Sequence, residues 1–238
     1  MKKRNMKIRA IIGVMTIGLL SSFTSGVQDG GKELCKAFFP LDEGAIMTYQ
    51  NFDGKDKLNS TDLYEIKAVE EAASTVNIKI HATSLDKKGK EVYSDDFVYT
   101  CANGSFDMSI ESMLSNEMME GMEGIEMTAT STNLSFPSNL AVGQNLPDAE
   151  LILAANGMEM MKFNIVDRKV LAIETMETTA GSFECYKIST TTKSKIAFMN
   201  MTVTTVEWIA ENVGVVRSET YDKSGKLETY RVLSEIKR

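Results

Sequence analysis

Histidine is nearly absent from this chain, since His81 is the only one in 238 residues. An acid–base enzyme usually relies on a histidine, or on paired carboxylates held in a cleft. His81 falls on the polar side of a run in which Ile78 and Ile80 take the other side, so we expect a solvent-exposed side chain. One histidine also leaves too few ligands for a zinc site. We therefore expect no catalytic residue, no metal and no cofactor.

The usual enzyme motifs are absent as well. The chain has no Gly-x-Ser-x-Gly elbow, no phosphate-cradling glycine loop and no dinucleotide fingerprint. The neighbouring carboxylates Asp95-Asp96 and Glu70-Glu71 are more typical of solvated turns than of catalytic pairs. No Asp-x-Asp-x-Asp spacing supports a calcium site. We predict that the protein is not an enzyme.

Cysteine is scarce, with Cys35, Cys101 and Cys185 and no Cys-x-x-Cys. In an exported protein, three cysteines predict one disulfide and one remaining thiol. We expect Cys185 to be in the disulfide. Cys35 is the favoured partner because it lies in the segment before the first predicted strand, which a disulfide could anchor to the domain. Cys101 stays the alternative, since a bridge between strands requires a matching register.

Residues 1–26 have the layout of a secretory signal peptide. Five basic residues come first, followed by an uncharged, mostly apolar run from Ala10 to Leu20 and then small residues. This run is too short to span a bilayer, which takes roughly 20 residues. A lipoprotein would carry a cysteine directly after the run, whereas the first one is Cys35. We expect a cleaved, soluble protein in the periplasm or outside a Gram-negative cell, neither membrane-spanning nor a lipoprotein.

The remaining chain is acidic. Removing the five basic residues of 1–26 changes the formal net charge from −7 to −12. An acidic protein is a poor ligand for phosphate backbones. We therefore expect no nucleic-acid partner and consider a lipid or an envelope protein instead.

What the sequence does contain is alternation of apolar and polar residues with a period of two. Ile78 and Ile80 alternate with Lys79 and His81, and the same pattern covers 199–204. This period is typical of half-buried strands. Turn sequences separate the runs, namely Asn103-Gly104, Asp86-Lys-Lys-Gly89 and Asp222-Lys-Ser-Gly225.

These patterns predict a single all-β domain over residues 27–238, with halves at 41–112 and 148–238. About ten strands in a meander should form a curved half-barrel or barrel-like sheet, because open twisted sheets rarely exceed roughly ten strands. Between the halves, residues 112–124 predict a short Met-rich helix or loop. Residues 135–147 predict a loop that crosses from one half to the other.

Three stretches carry a resemblance to a known family. They are Phe39-Pro-Leu-Asp-Glu-Gly-Ala45 with Tyr49 and Asp53-Gly-Lys55 after it, Gly181-Ser-Phe-Glu-Cys-Tyr-Lys-Ile188, and Trp208-Ile-Ala-Glu-Asn-Val-Gly-Val-Val-Arg-Ser-Glu219. They resemble the TapB-like group, a domain-of-unknown-function family of exported bacterial β-sheet proteins. The resemblance implies a curved antiparallel sheet somewhat like bacterial lipoprotein carriers. It implies no activity and no functional residues.

We expect the curved sheet to bind an apolar or amphiphilic ligand, such as a lipid or lipoprotein, on its concave side. Thirteen of the 16 methionines follow residue 26, and flexible thioethers suit adaptable apolar surfaces. The predicted ligand-binding residues are Met108, Ile110, Met118, Met119, Met122, Met199 and Met201. One alternative is a structural or protein-interaction module without a small ligand. Another is Cu(I) binding by the thioethers of Met118, Met119 and Met122.

Overall fold

The computed structural model describes residues 38–108, 127–196 and 199–238. Throughout these ranges the regular secondary structure is β-strand, which confirms the all-β prediction. The strands are β1 Ile46–Asp53, β2 Leu58–Ala72, β3 Thr75–Asp86, β4 Glu91–Ala102, β5 Ser105–Met108, β6 Met127–Ser131, β7 Leu134–Pro137, β8 Ala149–Ala155, β9 Met158–Thr178, β10 Gly181–Ile196, β11 Met199–Ala210, β12 Gly214–Asp222 and β13 Leu227–Lys237. No helix that could cross a membrane occurs in the described ranges.

One antiparallel sheet contains all thirteen of these strands, in the order β6-β8-β9-β10-β11-β12-β13-β1-β2-β3-β4-β5-β7. Two meanders, β1 to β5 and β8 to β13, join where the first strand pairs with the last. In that ladder Phe52 lies opposite Tyr230, and Tyr49 lies opposite Leu233. The first described strand, β1, therefore lies next to β13, which is the central strand of the sheet.

The two edges of the sheet lie close together along the chain. The edge strands β6 and β7 are separated by Thr132 and Asn133 alone. Three residue steps span at most roughly 11 Å, so the far edges of a thirteen-stranded sheet must approach one another. The sheet is therefore strongly curved, as predicted. It stays open because no ladder joins β6 to β7 in the described residues.

The concave side of the sheet, called the inner face below, holds the core. In β3 the inner-face residues Val76, Ile78 and Ile80 are buried, as the alternation predicts. Residues directly opposite in neighbouring strands share a face. Ile78 is opposite Tyr99, which places the side chain of Tyr99 on the inner face as well.

Three predictions about loops are wrong. Residues 135–147 were expected to be a crossing loop, yet β7 begins just before them and pairs with β5 through Phe106 and Phe136. The crossing between the halves lies at residues 132–133. Asp95-Asp96 and Glu70-Glu71 lie inside β4 and β2 rather than in turns. The predicted signal peptide and the Met-rich segment 112–124 lie outside the described residues.

Three turns that begin with aspartate share one geometry. The side chain of Asp86 accepts hydrogen bonds from the backbone N–H groups of Lys88 at 2.7 Å and Lys90 at 3.0 Å. Asp53 and Asp222 accept the equivalent pair of bonds. The fourth residue of each turn has a positive φ, which suits Gly89 at 79°. These bonds lower the pKa of Asp53 and Asp86 below the ordinary value of 3.8. The pKa of Asp222 is lowered first by the hydrogen bond that the Ser224 hydroxyl donates and then by the backbone bonds.

The cysteine prediction is corrected. Cys101 is disulfide-bonded, whereas Cys185 is a free, buried thiol. Cys185 lies in β10, an interior strand of the sheet, opposite Ala210 of β11 on one side and Glu174 of β9 on the other. Neither neighbour is a cysteine, so no bridge forms across these ladders. Cys35, the remaining cysteine of the chain, lies outside the described residues.

We predict that peptide mapping without reductant will find Cys101 linked to Cys35, the one cysteine left when Cys185 is free. Burial, with help from Glu174 and Glu184, raises the pKa of Cys185 to about 11. The thiol of Cys185 should therefore resist alkylation in the folded protein and react once urea unfolds it. A disulfide that contains Cys185 would contradict this assignment.

The three aspartate turns predict how stability depends on pH. Because their pKa values are lowered by folding, their stabilisation is present above the unfolded value of 3.8 and is lost as pH falls through the folded values. The triple variant D53N/D86N/D222N should lose less stability than wild type between about pH 5 and about pH 2. Thermal unfolding followed by circular dichroism measures this. The substitution Glu91→Gln at an exposed position serves as the control. The prediction is refuted if wild type and the triple variant lose the same stability as the pH falls.

Candidate functional site

A cavity of about 220 Å³ lies on the inner face of the sheet. Most of its lining is aromatic, including Tyr49 of β1, Tyr64 of β2, Tyr99 of β4 and Phe106 of β5. Successive strands supply these residues because their ladder partners keep them on one face. Small-molecule sites are typically concave and mostly apolar, with a few placed polar groups. The cavity is therefore the candidate site.

The aromatic rings form a continuous row across four strands. Ring centroids are 5.4 Å apart between Tyr49 and Tyr64, and 5.8 Å between Tyr64 and Phe97. They are 5.0 Å apart between Phe97 and Tyr99, and 5.3 Å between Tyr99 and Phe106. Such tilted and edge-on pairs are favourable beyond the area they bury. The row makes a rigid, apolar wall.

A second cavity adjoins this row. Its volume is about 310 Å³, and it shares Tyr64 and Tyr99 with the first cavity. Its lining also includes Asp62 of β2 and Ser84 of β3. The two tyrosines therefore belong to the walls of both cavities.

Arg231 of β13 supplies a positive charge at the wall of the first cavity. Its Nη2 pairs with Asp62 and donates to the Tyr64 hydroxyl at 3.2 Å, and its Nε donates to Asn51 at 3.2 Å. The guanidinium lies 4.7 Å from the centre of the Tyr49 ring. Asp62 also accepts hydrogen bonds from Asn51 and Ser84. The charge of Arg231 is thus already balanced by the protein.

Glu207 of β11 is the acidic group of the cavity lining. Burial raises its pKa, and the nearby charges of Arg168 and Arg231 oppose that rise. Its carboxyl has no hydrogen-bond partner among the residues that the structure describes. A desolvated carboxyl without a hydrogen bond is costly, so Glu207 is a site where a ligand could supply the missing contact.

Arg168 of β9 closes the wall from behind Phe136. Its guanidinium lies 4.7 Å from the Phe136 ring centre, and Nη1 donates to the backbone oxygens of Ser135 at 3.0 Å and Pro147 at 2.6 Å. Burial lowers the pKa of Arg168 to about 10. These bonds connect β9 to edge strand β7 across the gap in the sheet, which fixes Phe136 against the cavity.

Of the residues predicted from sequence, the structure places Met108 in the cavity lining. Met199 and Met201 belong to the inner face, since Met201 lies opposite Ser194, which lies opposite Phe163. They are nevertheless 65% and 54% exposed and do not line the cavity, because β11 extends beyond the core there. Ile110, Met118, Met119 and Met122 lie outside the described residues.

Sequence reasoning missed the polar members of the site. Glu207 lies an even number of residues from Met199 and Met201 in β11, so the three side chains are on one face of the strand. This alternation could have identified Glu207 from the sequence. Arg231 gave no comparable signal, because its role depends on pairing with β1 and β2.

His81 does not line the cavity, and its Nδ1 lies 2.6 Å from Asp96 Oδ1. No cluster of metal-ligating His, Cys, Asp or Glu occurs in the described part of the chain.

The Arg231–Asp62 pair predicts a large stability effect. The variant Arg231→Met leaves Asp62 poorly solvated and without its cation, which should lower the free energy of unfolding by about 3 kcal/mol. The double variant D62N/R231M should recover part of that loss. Urea unfolding measures both. Lys79→Ala, which breaks an exposed pair with Glu70, is the matched control and should cost less than about 1 kcal/mol. Equal losses for the two single variants would contradict the assigned role of Arg231.

Comparison with solved structures identifies two similar proteins. One is a protein of Bacteroides fragilis inferred to be exported, with a YmcC-like fold, at 26% identity and a TM-score of 0.70. The match covers 86% of this chain and 100% of that one. The other is a protein of Parabacteroides distasonis inferred to be a lipoprotein, also at 26% identity and TM-score 0.70, with 85% and 99% coverage.

No curated protein sequence matches the chain. The DUF3108-like family, by contrast, matches residues 42–233, which include every strand from β1 to β12 and most of β13. This agrees with the predicted resemblance to a domain-of-unknown-function family of exported β-sheet proteins. The chain therefore belongs to the DUF3108-like family.

Proposed function

We propose that the protein is an exported, non-enzymatic envelope protein that binds an apolar or amphiphilic molecule, such as a lipid or a lipid-bearing protein segment, in its inner-face cavity. The observation that carries this proposal is the aromatic row from Tyr49 to Phe106 around an unfilled volume of about 220 Å³. Small curved sheets usually fill their interior with side chains. A cavity of this size between rigid rings is instead suited to an apolar group.

The absence of a catalytic arrangement favours binding over chemistry. The cavity lining contains Glu207 and Arg231 as charged groups, and Arg231 is engaged by Asp62. No histidine, serine or cysteine is among the residues that line it. Within the described residues, Glu207 therefore lacks the nucleophile or second acid–base group that a hydrolytic site would require.

Export is supported by two independent features. Residues 1–26 have the layout of a signal peptide, and both similar structures belong to proteins inferred to be exported or lipid-anchored. The first cysteine, at position 35, lies too far from the apolar run for lipid attachment directly after it. We propose a soluble protein of the periplasm or the exterior.

A second candidate function, a protein-interaction module, is favoured by exposed methionines at the ends of β9 and β11. Met158 and Met199 are 67% and 65% exposed. Met161 and Met199 lie on either side of Ile196 in β10, which makes the surface continuous. Exposed apolar surfaces of this kind mark contact sites, and flexible methionines suit varied partners.

Binding of N-phenyl-1-naphthylamine, an uncharged apolar fluorophore, tests the ligand proposal. Wild type should show saturable fluorescence enhancement. Met108→Trp fills the cavity and should weaken binding at least tenfold, whereas Met160→Trp, on an exposed part of β9, should leave it unchanged. Leu134→Phe provides a milder filling variant, and circular dichroism verifies folding.

The opposite result has a distinct meaning. Absence of saturable binding to wild type would overturn the ligand proposal. Equal loss with Met108→Trp and Met160→Trp would place the fluorophore on the exposed methionines and favour the interaction module.

A further inference from the structure

Small side chains in β3 leave a space on the inner face between two strands that carry aromatic residues. The inner-face residues of β3 are large as far as Ile80 and then become small, at Ala82 and Ser84. Tyr64 of β2 lies opposite Ala82, and Phe97 of β4 lies opposite Ile80. The second cavity, of about 310 Å³, occupies this space. Packed interiors have few voids larger than a water molecule, so a hollow of this size is suited to a ligand.

The aromatic row extends from the first cavity into the second. Tyr64 and Tyr99 line both cavities, which therefore adjoin at these two side chains. Phe97 lies between them, with ring centroids 5.8 Å from Tyr64 and 5.0 Å from Tyr99, and it lines the second cavity. A ligand that filled the first cavity alone would leave this neighbouring aromatic surface uncovered.

The two cavities differ in how close they lie to solvent. Phe106 and Phe136 in the lining of the first cavity are buried, whereas Tyr93 in the lining of the second is partly exposed. Two residues after Ser84, β3 ends at Asp86 and the chain enters an exposed turn. Burying a polar head group costs free energy unless it is hydrogen-bonded, so the head of an amphiphile belongs at the more exposed end.

We propose that the two cavities form one elongated site for a single-chain amphiphile. The end of its chain lies in the first cavity, the chain continues past Tyr64 and Tyr99 into the second, and the polar head lies at the exposed end. This assignment rests on the proposed function and narrows it, since the ligand must be longer than the first cavity alone can hold. Ala82 sets the usable length, because its small side chain leaves the second cavity open.

Three alcohols of increasing length test this site: hexan-1-ol, nonan-1-ol and dodecan-1-ol. Each is titrated against a preformed complex of the full-length protein with N-phenyl-1-naphthylamine, and displacement gives its dissociation constant. Because every methylene that is buried contributes a similar free energy, the dissociation constant should fall about fourfold per methylene up to dodecan-1-ol. A site limited to the first cavity would gain no affinity between nonan-1-ol and dodecan-1-ol.

Substitutions at Ala82 test where the longer chain lies. Ala82→Ile continues the pattern of Ile78 and Ile80 in β3 and fills the second cavity. It should weaken dodecan-1-ol at least tenfold and leave hexan-1-ol unchanged, whereas Met108→Trp should weaken both alcohols. Ala82→Val, a milder filling variant, should have a smaller effect in the same direction. Ala72→Ile, at an exposed position of β2, is the matched control and should change neither constant.

The outcomes separate the two proposals. A wild-type protein that binds the fluorophore but gains no affinity beyond nonan-1-ol overturns the elongated site and leaves the proposed function standing. Folded Ala82 variants that weaken hexan-1-ol and dodecan-1-ol equally, or weaken neither, also overturn it. If neither variant folds, the wild-type series of alcohols decides alone. A wild-type protein that binds neither the fluorophore nor the alcohols overturns the proposed function and the elongated site together.

Discussion

The short link between β6 and β7 is the constraint on which the rest of the structure depends. Thr132 and Asn133 connect strands that stand at opposite edges of a thirteen-stranded sheet. A flat sheet with strands about 4.8 Å apart would hold these edges roughly 58 Å from each other, far beyond the reach of that link. The sheet must curve until its edges nearly meet. The concave side, the core and the cavity all follow from that curvature.

Arg168 and Leu134 hold the gap between the edges. Arg168 donates to backbone oxygens on both sides of it, and Leu134 of β7 packs with Leu151 and Phe163 of β8 and β9. Side-chain contacts thus bridge the gap between the two edges of the sheet, whereas in a barrel backbone hydrogen bonds between strands do so. The Nε atom of Arg168 is buried without a hydrogen-bond partner, which is a cost of this arrangement. We attribute to this closure the stable position of Phe136 in the cavity wall.

Local sequence patterns predicted those parts of the fold that depend on local chemistry. The hairpin at Asn103-Gly104 has positive φ at both residues, 53° and 72°, as that dipeptide favours. Strand β7 was missed because Leu-Ser-Phe-Pro is short and ends in proline, a residue that sheets tolerate at their edges. The disulfide was misassigned because a short stretch of sequence does not determine the register between distant strands.

The candidate site was predictable only in its general character. Alternation indicated an apolar concave face, and Met108, which was named from it, lies in the cavity lining. The same alternation could not show where along β11 the cavity lies, so Met199 and Met201 were chosen while Glu207 on the same face was overlooked. Tyr49 and Tyr99 become a site together with Glu207 only when the curved sheet brings three distant strands around one volume.

The central claim is that an apolar or amphiphilic molecule occupies the inner-face cavity. A crystal structure of the protein grown with a short alkyl alcohol brominated at its far end tests that claim most directly. The account predicts an anomalous bromine peak inside the cavity, beside the aromatic row from Tyr49 to Phe106. Bromine peaks confined to the exposed methionines of β9 and β11, with no density in the cavity, would contradict it.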